Sequence, residues 1–336
     1  MSEKPKKNFD YYFELGIREL DSGNIEKSIS AFKKAIELNP GDQRSYSNLG
    51  IAYELLGCYE KARKAYESAI EINPRSSSTL NNLAELSLLE GQTGEAAKLY
   101  GYAISSDPLY IEPYLNIARM FMEINSFKMA EPYVRKIIEI EPDNMEAHNI
   151  LGVITNLTDR SEEAVGHFRN VLKNDANKPA IFSNLGAALI KTGDIRRAII
   201  AFEKAVELNP YYITALNNLG VLHREIGNIK RAEDLFLYSA QLFPENPFPY
   251  YNLAELYIGT GDYGKALDNL KHYISLVPLD MDNLFKTFGI ARLADRLGEV
   301  VPDMKRFMSV AEPENPHIKT VEFWMNMAEK ADHTMK

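Results

Sequence analysis

The sequence predicts an all-α solenoid: eight tandem helix-turn-helix units of 34 residues, a degenerate ninth unit, and a C-terminal capping helix. Three observations carry this prediction. Prolines recur at a fixed interval: Pro40, Pro74, Pro108 and Pro142 are each 34 residues apart, and after Ala176 the series resumes at Pro210, Pro244 and Pro278. Apolar residues follow a 3.6-residue period twice within each interval, as two amphipathic helices require. Glycine separates the two helical stretches at Gly23, Gly57, Gly91, Gly193, Gly227 and Gly261. Length alone, 336 residues, suggests two domains of ordinary size, and the repeat replaces that estimate with a one-dimensional array.

Counted from Phe9, the units run without insertion over 9–42, 43–76, 77–110, 111–144, 145–178, 179–212, 213–246 and 247–280. Residues 1–8 form a head expected to be disordered. In the first helix, positions 4, 7, 8 and 11 of the unit share one face, and position 8 is always small, as at Gly16, Gly50, Ala84 and Gly220. In the second helix, position 20 is small (Ser28, then alanine throughout) and position 24 is bulky, as at Phe32, Tyr66, Tyr100 and Phe202. The small residues at positions 8 and 20 are expected to face each other, with the bulky residue filling the space beside them. The turn glycine supplies a left-handed backbone, and Asn125 and Asp159, which tolerate it, replace glycine in the fourth and fifth units. The proline near the end of each unit stops the second helix. Arg18 and Glu19 make the first unit polar where no earlier unit covers it.

Residues 281–336 depart from the pattern. A ninth hairpin is expected with helices over 282–294 and 299–310, Phe288 standing where a small residue belongs and the proline slipping to Pro313. A last helix over 318–330, carrying Phe323, Trp324, Met327 and Ala328, is expected to cover the final open face.

The pattern resembles the tetratricopeptide repeat family, over residues 9–280 with eight units in phase. The resemblance implies a right-handed superhelix whose first helices line a concave face, and a role in binding polypeptides. Positions 2, 5, 6, 9, 12 and 13 of the unit then fall on that face. Position 6 reads Glu14, Asn48, Asn82, Asn116, Ile150, Asn184, Asn218 and Asn252. Helix propensity does not favour asparagine, but its amide offers donors and an acceptor to an extended backbone. The row is similar to the asparagine ladder in the repeat superhelix of O-linked N-acetylglucosamine transferase. Asn81, Asn149 and Asn217 at position 5 widen the polar track, Asn156 extends it, and Arg119, Arg224 and Tyr251 complete the candidate peptide contacts. The alternative is that these amides bond between neighbouring helices. Glu14 and Ile150 interrupt the row and suggest two separate grips.

The face so defined has ten acids (Asp10, Glu14, Asp21, Glu54, Glu85, Glu112, Glu123, Glu146, Glu225, Glu255) and four bases (Arg44, Arg119, Lys191, Arg224). That balance favours a neutral or basic peptide. Ile51, Leu55, Leu88, Leu89 and Val153 add apolar contacts, and Phe248, Tyr251 and Ile258 form an apolar patch. The terminal-carboxylate clamp of the chaperone co-factors in this family needs lysine at position 5 and arginine at position 6, and no unit carries either.

Composition narrows the function further. A formal net charge of −9 and a pI near 5.4 disfavour nucleic acid and anionic membranes. The single cysteine, Cys58, permits no intrachain disulfide and no zinc site built from several cysteines, and it reads as an inert thiol. The basic amino terminus lacks the apolar run of a signal peptide, and no stretch approaches the 18 apolar residues of a membrane span. No phosphate-binding glycine loop, dinucleotide fingerprint or zinc-protease motif occurs, and His148 and His223 fall on core stripes. The expectation is therefore a cytoplasmic, non-catalytic adaptor without cofactor or metal, holding an extended peptide. Two other readings stand beside it: homotypic assembly into a scaffold, and presentation of substrates to a separate enzyme such as a glycosyltransferase.

Overall fold

The computed structural model describes residues 8–278, 280–312 and 314–334, with no side-chain description from 330 onward. Among these the chain is all-α, with nineteen α-helices, one short 3-10 helix and no strand. It divides into two compact units, and the boundary falls in sequence between Thr158 and Asp159, inside the fifth repeat.

The first unit holds α1 (Phe9–Asp21), α2 (Ile25–Leu38), α3 (Gln43–Leu55), α4 (Tyr59–Ile72), α5 (Ser77–Leu89), α6 (Thr93–Ser106), α7 (Glu112–Glu123), α8 (Phe127–Ile140) and α9 (Met145–Leu157). Each helix packs on the next, and the first helices α1, α3, α5 and α7 also touch in succession. The second unit holds α10 (Ser161–Asn174), α11 (Pro179–Lys191), α12 (Ile195–Leu208), α13 (Ile213–Glu225), α14 (Ile229–Leu242), α15 (Pro247–Thr260), α16 (Tyr263–Leu276), α17 (Met281–Leu293), α18 (Val301–Val310) and α19 (Ile318–Thr334). The 3-10 turn Leu297–Val300 leads into α18.

Caps fix the starts of several first helices. Asp42 accepts from the Ser45 amide at 3.0 Å and Asn144 from the Ala147 amide at 2.9 Å. Asn8, assigned to the head from sequence, caps α1 by accepting from the Tyr11 amide at 3.1 Å. The remaining residues of that head, 1–7, lie outside the described residues, as do Leu279, Pro313 and the last two positions. The hairpin turns run through left-handed residues: Asn125 and Asp159 adopt φ of 55° and 58°, as their place in the repeat requires. Asp295 does the same in the ninth unit, at φ 56°. Second helices end two residues before each proline, yet α10 stops at Asn174 in the same register with only Ala176 ahead of it. There Asp175 is extended and accepts from the Asn177 amide at 2.9 Å, an Asx turn that stops the helix without proline.

The core repeats with the sequence. The rings of Phe32, Tyr66, Tyr100, Phe168, Phe202 and Phe236 are fully buried, each contributing roughly 2–3 kcal/mol of apolar burial. One detail differs from the expected packing. The glycine at position 8 makes room chiefly for the ring at position 24: a Cβ on Gly50 would lie 2.4 Å from Tyr66 Cε1, and one on Gly220 2.4 Å from Phe236 Cε1.

The C-terminal helix also differs in part. Val321 and Ala328 are buried, and Trp324 stacks on Phe285 with ring centroids 5.4 Å apart, so α19 does cover α17. Phe323 and Met327, expected in the same contact, are exposed instead, at 61% and 41%. They fall on the outer face because Val321, Trp324 and Ala328, at i, i+3 and i+7, take the inner one.

Candidate functional site

The asparagine row lies on the first helices, and all six members are half-buried. Their hydrogen bonding separates them. In the first unit Asn48 turns back on its own helix and donates to the Arg44 carbonyl at 2.9 Å. Asn116 is consumed by its neighbours. Its amide nitrogen donates to Asn81 Oδ1 at 3.1 Å and to Glu85 Oε1 at 2.6 Å, and its oxygen accepts from Arg119 at 3.3 Å. Arg119 in turn pairs with Glu146. Asn81 is itself buried, so this residue serves the contact between α5 and α7. Asn82 has no side-chain partner among the described residues.

The second unit differs. Asn184 on α11, Asn218 on α13 and Asn252 on α15 make no side-chain hydrogen bond among the described residues. They stand at equivalent places on three successive hairpins, half-buried and with their amide groups unspent. Beside this row Asn217, like Asn149 in the first unit, holds a buried side-chain oxygen that no donor reaches among the described residues. Arg224 forms no ion pair among the described residues. Tyr251 lies 5.5 Å, centroid to centroid, from Tyr273 and beneath the Lys286 ammonium at 5.4 Å, while Lys286 pairs with Glu255. Tyr273 donates to Asp280 at 2.6 Å, and burial with this carboxylate pushes its phenol up to about 12. Phe248, at the start of α15, is 63% exposed.

Lys286 was not singled out from sequence. In the 34-residue register it occupies position 6 of the ninth unit, the place of the asparagines. A readable signal accompanies it. Glu255 stands at position 9 of the preceding unit, and Glu85 holds that same relation to Asn116. A carboxylate there captures the position-6 donor of the next first helix, by a hydrogen bond in one case and an ion pair in the other. Ile51, Ala187 and Val221 stand at that place before Asn82, Asn218 and Asn252, and offer no acceptor.

The acids divide in the same way. Glu54 accepts from the buried Tyr66 hydroxyl at 2.8 Å, and Glu85, Glu146 and Glu255 have the partners given above. In the first unit Asp10, Glu14, Asp21, Glu112 and Glu123 remain without a cation among the described residues; in the second, Glu225 is offset by Arg224 next to it. Burial, then the nearby Glu54 charge, raises the Glu85 carboxyl above the usual carboxylate range. The first-unit face is thus acidic with most of its asparagine row committed, and the second-unit face is near neutral with its row open.

Other singled-out groups have structural settings. His148 is 5% exposed, with Nε2 2.8 Å from the Pro142 carbonyl. His223 is 8% exposed, and its Nε2 is buried without a partner among the described residues. Cys58 is half-buried at the start of α4. Among the described residues no group of three His, Cys, Asp or Glu side chains is arranged to hold a metal, and no helix is long and apolar enough to cross a membrane.

Family models described as tetratricopeptide repeat match residues 44–76, 65–98, 111–144, 179–212, 213–237 and 249–278, and one described as TPR repeat matches 18–57. An uncharacterized protein of Methanocaldococcus jannaschii is 39% identical over 56 residues, which are 17% of this chain and 64% of that protein. Among solved structures, Pseudomonas aeruginosa pilF aligns with a TM-score of 0.54 at 17% identity, over 62% of this chain and 94% of its own. YrrB, described as a TPR protein with an unusual peptide-binding site, aligns with a TM-score of 0.50 at 22% identity, over 55% of this chain and 96% of its own. Identities this low speak for the shared fold.

Proposed function

This chain belongs to the tetratricopeptide repeat family, and on that premise we propose that it is a non-catalytic scaffold that holds an extended polypeptide on the first helices of its second unit. The repeats themselves mark it as a protein-interaction protein. The observation that supports the finer reading is the set of unspent amides on Asn184, Asn218 and Asn252. A half-buried amide without a partner is costly unless water or a ligand satisfies it. Three of them at repeating places can pair with the N–H and C=O groups of a strand laid across the helices, which gives affinity with little dependence on sequence. Tyr251 and Phe248 would supply the side-chain anchors. The near-neutral charge of this face suits a neutral or mildly basic segment. The single cysteine is consistent with work in the cytoplasm.

The test is affinity capture from a lysate of the source organism. A variant with Asn184, Asn218 and Asn252 changed to Ala should lose its captured polypeptides, while one with Asn48 and Asn116 changed should retain them. Equal recovery by the two variants would reject the reading. Phe323 and Met327, exposed on α19, favour self-association as a second reading. Light scattering at high concentration decides that point, since a strict monomer excludes it.

A further inference from the structure

We propose that the groove between α4 and α6 is a second docking site, for a polypeptide segment carrying arginine or lysine beside an apolar residue. None of its residues belongs to the asparagine row, so the inference stands apart from the reading above. The groove encloses about 630 Å³, within the range of ligand sites. Ile70 of α4 and Leu99 of α6 line it half-buried, over the buried Leu80 and Leu83 of α5. Tyr102 forms part of its wall and is 61% exposed, an aromatic face available to a cation.

The charge of the lining selects the occupant. Glu67, Glu71 and Glu95 border the groove against one cation, Arg75. Glu95 already shares Arg63 at 3.4 Å, Glu67 feels the charge of that arginine without an ion pair to it, and Glu71 pairs with no cation among the described residues. An apolar floor, an exposed ring and unpaired carboxylates together fit a side chain with an aliphatic stem and a cationic head.

The second unit has the same kind of groove, about 490 Å³ between α10 and α12, floored by Phe182 and Leu185. There Arg169 stands at the repeat position of Glu67, and Arg197 at that of Glu95. The hairpin architecture therefore does not dictate the acidic lining, which is a property of the first-unit groove.

The experiment is fluorescence anisotropy with a labelled peptide, Gly-Ala-Leu-Arg-Leu-Gly, against the full chain. Saturable binding is expected. Glu67→Arg, which installs the residue of the second-unit groove, should weaken it by about ten-fold, and Tyr102→Ala by about five-fold. Both side chains are exposed, so circular dichroism should show unchanged folding. The triple asparagine variant should bind this peptide as the parent does. No saturation, equal binding of the peptide with glutamate in place of arginine, or unchanged affinity in Glu67→Arg would overturn the proposal. A dimer in light scattering that the unlabelled peptide dissociates would assign the groove to self-association and overturn it too.

Discussion

A Cβ placed on Gly16 would stand 2.5 Å from Cε1 of Phe32, so the aromatic ring of α2 lies against the bare backbone of α1. The ring is fully buried, so an added methyl group must displace it or its neighbours. Gly186 and Phe202 repeat the relationship at 2.7 Å. Alanine at such a site gains roughly 1 kcal/mol of helix propensity. Displacing a packed ring costs more, so Gly186→Ala should destabilise by about 1–3 kcal/mol. Gly166, in α10, has no packing neighbour within 4 Å of the corresponding Cβ among the described residues. Gly166→Ala should therefore stabilise by about 0.5–1 kcal/mol. Denaturant melts of the two variants should shift in opposite directions.

Glu85 gives a prediction in pH. Its carboxyl is raised, first by burial and then by Glu54, so the folded chain keeps this proton where the unfolded chain releases it. The stabilising contribution is present below the unfolded value of about 4.5 and is lost as pH rises through the folded value. Glu85→Gln removes the ionisation and keeps an oxygen for the Asn116 amide. The variant should melt above the parent near pH 7, and the difference should shrink near pH 4. A constant difference would assign the effect to packing.

The repeat made the fold legible because one steric solution is written eight times. A single position such as Asp159, ambiguous alone, is read from its register as left-handed and is found so. The ninth unit breaks that redundancy. Asp295 has the same backbone, but the proline and the small residue that mark the register are missing around it. The face was less legible. Asn116 and Asn218 have the same place in the repeat, and the residues on the preceding first helix, Asn81 and Glu85 against Ser183 and Ala187, separate a committed amide from an open one. The acidic groove at Tyr102 left no periodic trace, since Arg169 and Arg197 stand at the places of Glu67 and Glu95 in the second-unit groove.

His223 should make the second unit sensitive to mild acid. Desolvation, then the charge of Arg231, lowers its pKa from the ordinary 6.5, and among the described residues its Nε2 has no acceptor to welcome a proton. The unfolded chain thus binds the proton more readily, and stability is lost as pH falls below the unfolded value. Tyr53 and Tyr257 occupy the same repeat position in other units, so His223→Tyr should be tolerated. Between about pH 7.5 and 5.5 the parent should lose more melting temperature than this variant. Parallel curves would show that His223 does not titrate in that window.

The capture of position-6 donors by a preceding carboxylate can be transplanted. Glu85 takes the Asn116 amide, and Glu255 takes Lys286 one place further along the same logic. Ala187 and Val221 hold the equivalent positions before Asn218 and Asn252 and are only half-buried, so a longer polar side chain has an exit to solvent. Ala187→Glu and Val221→Glu together should bring carboxylates to Asn218 and Asn252 and commit both amides internally. Each new bond to a charged acceptor is worth about 1.5 kcal/mol or more before solvent competition. A peptide must displace it before it can use the amide. Polypeptide capture should therefore fall about as far as it does when the asparagines are deleted, although every asparagine is still present. The added negative charge is a separate effect, and Ala187→Gln with Val221→Gln controls for it, since glutamine also accepts from the amide. Capture weakened by both pairs supports competition for the amides. Capture weakened by glutamate alone would mean that charge, and not the open amide row, governs what this face holds.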